Sequence, residues 1–217
     1  MIFPFTVAFG WFLVGAIMRP WVRSREQWLL IDLGYCATCL LAGMALYGFG
    51  TWHAERPALQ LPPHTQAAAL VVSGAVALAL PGAFLLLRRR WATQPLQFGP
   101  LQLTRPPTVE FCLLVGVAFT EELLFRFVLI NAFVAHGSNI WRATLMSWGL
   151  FCLAHLGWNS VVGVAEVAVV GTVICAAFAV AGLFGSVMVH CLYNTSTTVF
   201  RLSKGSDDSI ESYRIPR

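Results

Sequence analysis

Apolar residues gather in this chain into seven stretches, at residues 2–18, 28–50, 66–87, 109–134, 143–158, 161–182 and 183–200. A helix that crosses a bilayer needs about 20 predominantly apolar residues, so the pattern predicts an all-α, polytopic transmembrane helix bundle of about seven spans. The first and fifth stretches are short. The last two meet around Gly182 to Gly185 without a polar loop, which points to a tight turn there. Composition supports the membrane reading. The 217 residues are 58% hydrophobic and 11% charged, with a mean hydropathy of +0.71, whereas a soluble domain usually carries about 25% charged residues.

The formal net charge of +4 does not imply a nucleic-acid partner, because the basic residues form short clusters between apolar runs rather than one face. They set topology instead. Short cytoplasmic loops carry an excess of Lys and Arg. With the N-terminus outside and the C-terminus in the cytoplasm, eleven basic residues fall on the cytoplasmic side and two, Arg56 and Arg142, on the other. Arg126 lies inside a span. The N-terminus lacks the basic region and small-residue cleavage site of a secretory signal, and is expected to be a retained first span. The six cysteines all lie in apolar segments, where a thiol behaves as a small hydrophobe and implies no disulfide framework. Cys36 and Cys39 form a CxxC pair, read as packing because no βαβ context surrounds it.

Residues 51–64 and 88–107 are read as loops, the second opposed to helix by Pro95, Pro100, Pro106 and Pro107. This gives an N-terminal transmembrane region at 1–107, a helical core at 108–202 formed by the last four spans, and a polar tail at 203–217. The unusual polar chemistry is almost all in the core.

Its centre is EELLFR at 121–126. On insertion scales a charged side chain at mid-bilayer costs roughly 2.5 to 3.5 kcal/mol, so three ionisable groups in six residues point to function. Residues four apart share a helix face, which pairs Glu122 with Arg126 and turns Glu121 about 100° away. An ion pair that fixes packing accounts for Glu122 and Arg126. It leaves Glu121 as a poised carboxylate. The fifth stretch places His155 four residues after Phe151, and the seventh places Asn194 four residues after His190. Each taken alone suits an interhelical hydrogen bond in lipid. Brought together, they form a carboxylate base, a histidine beside it and an imidazole plus amide donor pair, which suits attack of water on a carbonyl.

EELLFR at 121–126, FCLAH at 151–155 and HCLYN at 190–194 resemble, in order, the EExxxR, FxxxH and HxxxN/D motifs of the CPBP (Abi) family, which includes the CAAX prenyl endopeptidases. The resemblance covers roughly residues 108–200. It implies an intramembrane endopeptidase in which Glu121 and His155 activate water, His190 and Asn194 form the oxyanion hole, and Glu122 and Arg126 support the site. Phe127 departs from the pattern, since members commonly carry glycine after the motif arginine.

Three rival chemistries compete with this one. Two histidines and a glutamate are a common zinc set, yet HExxH is absent and the histidines sit on separate helices, so no cofactor is expected and zinc is the weaker reading. Ser186 and His190 invite comparison with a serine protease, but Ser186 lies among the small residues that usually pack helices. A transport or immunity protein could use the same residues as polar glue. Asp32 and Glu110 are expected to be interfacial, and Glu166 to partner His155 or a backbone group. The implied partners are the lipid bilayer and a membrane-embedded or lipid-anchored protein or peptide substrate. Thirteen Arg against one Lys points to a GC-rich bacterial genome, hence to a bacterial cytoplasmic membrane and to processing of C-terminal sorting signals, as in a myxosortase-like enzyme.

Overall fold

Each apolar stretch becomes helix. The computed structural model describes residues 2–18, 22, 25–47, 59, 61–91, 107–156 and 161–208. Its elements are α1 (Ile2–Met18), α2 (Arg25–Tyr47), α3 (Pro63–Trp91), α4 (Pro107–Glu122), a π-helical segment (Leu123–Leu129), α5 (Ile130–Ala135), α6 (Ile140–His155) and α7 (Val161–Asp208). The fold is all-α, with no strand among the described residues. By length and apolarity two helical stretches, Pro63–Phe84 and Gly163–Phe200, are suited to crossing a membrane.

α7 contains the expected turn. Ala181 (φ −132°, ψ 15°) and Gly182 (φ 65°, ψ −156°) leave the helical region, and a positive φ of this kind is open chiefly to glycine. The chain folds back at that point. The Tyr193 hydroxyl donates to Glu166 Oε1 at 2.6 Å, although 27 residues of straight helix would span about 40 Å. Close approach of the two limbs also depends on Gly185, where an added Cβ would lie 2.8 Å from the Ala177 carbonyl oxygen. Val170, Ile174, Ala177 and Val189 fill the seam, together with Ala77 of α3.

The main core forms around the π-helical segment. Leu124, Phe125, Val128 and Leu129 are buried there against Val7 and Trp11 of α1, Cys36 of α2, Phe151 of α6 and Phe178 of α7. The outer surface is also apolar, with Leu41, Leu145, Val71 and Phe184 each more than 60% exposed. Exposed large apolar side chains on four helices would be costly in water. Hydrocarbon removes that penalty.

Several element ends differ from the sequence expectation. α3 begins at Pro63, so the first loop ends before His64, and it continues to Trp91, so the second loop starts later than residue 88. Residues 92–106 lie outside the described set, as do 51–58. α7 remains helical to Asp208, and the first part of the predicted polar tail is therefore helix. The remainder, 209–217, lies outside the described residues.

Candidate active site

α4 ends in Glu121 and Glu122, both buried, and the chain then widens into the π-helical segment that carries Arg126. Such a widening often marks a functional site. One cause is visible: the Ser147 hydroxyl of α6, fully buried, donates to the Phe125 carbonyl oxygen. That carbonyl is thereby held by a neighbouring helix.

Arg126 Nε lies 3.5 Å from Glu122 Oε2, with both side chains wholly buried. Its guanidinium carbon stands 5.0 Å from the centroid of the Phe151 ring. A buried ion must be paired to be tolerated, and these two contacts supply the pairing. At 3.5 Å the contact with Glu122 is an ion pair rather than a short hydrogen bond. Glu122 is thereby held as the partner of a cation.

His190 connects the two acids. Its Nδ1 lies 2.9 Å from Glu122 Oε1 and its Nε2 3.4 Å from Glu121 Oε2. An ionised carboxylate only accepts, so Nδ1–H donates to Glu122 and Nε2 is directed at Glu121. His155, the last residue of α6, repeats the arrangement. Its Nδ1 sits 2.8 Å from the Phe151 carbonyl oxygen, which only accepts, and its Nε2 lies 3.7 Å from Glu121 Oε1. Both imidazoles therefore turn their second nitrogen toward one carboxyl group. Phe151 forms the wall between them, tilted against His155 at 4.5 Å and edge-on to His190 at 6.2 Å between ring centroids.

Glu121, Glu122, Arg126, His155 and His190 thus converge from α4, the π-helical segment, α6 and the second limb of α7. Asn194 lies one turn beyond His190, half-buried, with Nδ2 donating to the Leu114 carbonyl oxygen at 3.5 Å. It shares the face of His190 without touching the acids. Ser186 is fully buried, and its hydroxyl donates to Leu183 O at 2.9 Å. Glu166 accepts from the Tyr193 hydroxyl on the opposing limb.

Asp32 overturns the interfacial expectation. It lies on α2, accepts from the Cys36 thiol at 3.5 Å, and the donor atoms of Asp32, Cys36 and Glu121 are all within 4.8 Å of one another. An acidic cluster alone defines no metal site, and the Cys36 thiol is already directed at Asp32. The signal was present in the sequence: Asp32 and Cys36 are four apart in an apolar stretch and so share a face. What the sequence lacked was the rotation of α2 about its axis. The side chain of Glu110 lies outside the described residues.

The fold and the centre together define a class: a helical membrane protein that buries two acids and two histidines in a single polar cluster. Residues 105–196 match the family model for type II CAAX prenyl endopeptidases, Rce1-like. That match agrees with the order of the three motifs and supports a membrane protease. No curated protein and no solved structure matches the chain.

Proposed function

We propose that the chain is an intramembrane endopeptidase of glutamic type, in which Glu121 and His155 activate a water molecule. One observation carries this reading. Two imidazoles, each fixed through Nδ1, present Nε2 to the two oxygens of a single buried carboxyl group, at 3.7 and 3.4 Å. The wider gap, between His155 and Glu121, exceeds a direct hydrogen bond and suits a water held by both.

The water's oxygen attacks the scissile carbonyl carbon while its proton passes to the Glu121 and His155 pair, and the carbonyl π bond becomes the oxyanion of a tetrahedral intermediate. Asn194, and His190 when its Nε2 also carries a proton, with Glu122 and Arg126 behind it, supply donors to that oxygen. Collapse breaks the C–N bond as the proton held at Glu121 and His155 goes to the leaving amine. No nucleophilic side chain or metal takes part in this scheme. The substrate is a protein or peptide anchored in or on the membrane, with C-terminal sorting signals of a bacterial cytoplasmic membrane as the favoured class. The proposed orientation keeps the N-terminus outside.

The test uses purified full-length protein in nanodiscs and a fluorogenic prenylated CAAX peptide, together with the membrane peptidome of cells carrying either the natural gene or a Glu121→Ala allele. Glu121→Gln should fold and be inactive. Full turnover by that variant overturns the mechanism, and a peptidome unchanged by Glu121→Ala overturns the processing role.

A further inference from the structure

The centre holds three carboxyl groups, Asp32, Glu121 and Glu122, and one side chain that is always cationic, Arg126. Arg126 is taken by Glu122. Asp32 and Glu121 are left facing each other from α2 and α4, with side-chain donor atoms no more than 4.8 Å apart. Two ionised carboxylates at that range repel, and both are acceptors only. One proton removes the repulsion and supplies a donor, as in other paired-carboxyl sites.

We propose that Asp32 is a positioning residue for Glu121, the two carboxyls sharing one proton that links α2 to α4. Asp32 has a neutral neighbour on its own helix, the Cys36 thiol, which donates to Oδ1. Glu121 faces His155 Nε2 from α6 and His190 Nε2 from α7, with Glu122 adjacent and Arg126 one turn on. Held from α2 in this way, Glu121 keeps its two oxygens directed at the two histidines. Asp32 lies outside the segment that matches the CAAX-protease family, which gives the N-terminal helices a part in the site.

This rests on the reading of Glu121 as the base, and the experiment separates the two. Infrared difference spectra between the natural protein and Asp32→Asn, both full-length in nanodiscs and without substrate, should show loss of the carbonyl stretch of one protonated carboxylic acid. No difference in that region overturns the proposal. Turnover of the prenylated CAAX peptide gives the second reading. Asp32→Ala should lower kcat by roughly ten- to a hundredfold with KM unchanged, the scale of a misplaced catalytic group. Asp32→Asn, whose amide N–H can take the proton's place, should restore most of that loss. Equal impairment in both variants, or full activity in Asp32→Ala, overturns it. A fully active Glu121→Gln removes Glu121 as the base while leaving the infrared result to decide the pairing.

Discussion

His190 Nδ1 lies 2.9 Å from Glu122 Oε1, an acid 68 residues away in the chain and itself paired with Arg126. The contact makes the ion pair more than a packing device. Through it, the charge on Arg126 determines which imidazole nitrogen carries hydrogen, and so which one faces Glu121. Removing Glu122 should therefore affect catalysis through His190, even though Glu122 does not meet the substrate.

The pair also predicts stability. Glu122→Gln leaves a buried guanidinium without its counter-ion and should destabilise by about 3 to 5 kcal/mol, whereas replacing both partners with neutral residues of similar volume should recover much of that loss. Thermal unfolding in detergent, followed by helical circular dichroism, measures both. A single variant as stable as the natural protein would show that the two charges are not coupled.

Across the α7 hairpin, Tyr193→Phe should cost about 1 kcal/mol, the scale of an interhelical hydrogen bond in a membrane. Peptide cleavage should persist, because the Tyr193 to Glu166 bond joins the two limbs of α7 and is none of the contacts made by Glu121. Urea or detergent titration reads the stability change, and loss of turnover in a folded variant would connect Glu166 to the chemistry.

At the break itself, Gly182→Ala places a Cβ on a residue with φ of 65°. With ψ at −156° this is a region essentially confined to glycine, where another residue costs about 1 to 3 kcal/mol. The expected outcome is a lower unfolding midpoint with the same cleavage site, and an unchanged midpoint would mean that the turn can relax without glycine.

Ser186→Ala should retain turnover, since the proposed scheme needs no serine. A folded but inactive Ser186→Ala would favour a serine nucleophile. Treatment with a zinc chelator should likewise leave activity intact, and loss restored by added zinc would replace water activation by Glu121 and His155 with metal chemistry.

Much of the architecture was legible because lipid imposes a simple rule on apolar length. α1 coincides with the first apolar stretch, and the turn at Gly182 was readable from two abutting stretches with no polar loop between them. The three motifs were legible because i, i+4 spacing fixes a face without knowledge of the fold. Three features were not. The π-helical segment depends on Ser147 of another helix reaching Phe125. Asp32 depends on how α2 rotates against α4, a tertiary quantity that its neighbours in sequence do not encode. The helical extension to Asp208 carries α7 beyond the apolar run, into residues whose composition reads as a tail.

The π-helical segment from Leu123 to Leu129 has one more consequence. A widened turn is equivalent to one residue inserted into an α-helix, so deleting a single residue there would let the helix relax to ordinary pitch with its apolar length almost unchanged. Each residue removed rotates the N-terminal side of the helix by about 100° relative to its C-terminal side. The shortened chain could still insert in a bilayer, yet Glu121 and Glu122 would swing away from the histidines while Arg126 stayed with Phe151. The extra residue acts as an angular setting: it fixes how the two acids of α4 are turned toward the histidines of α6 and α7.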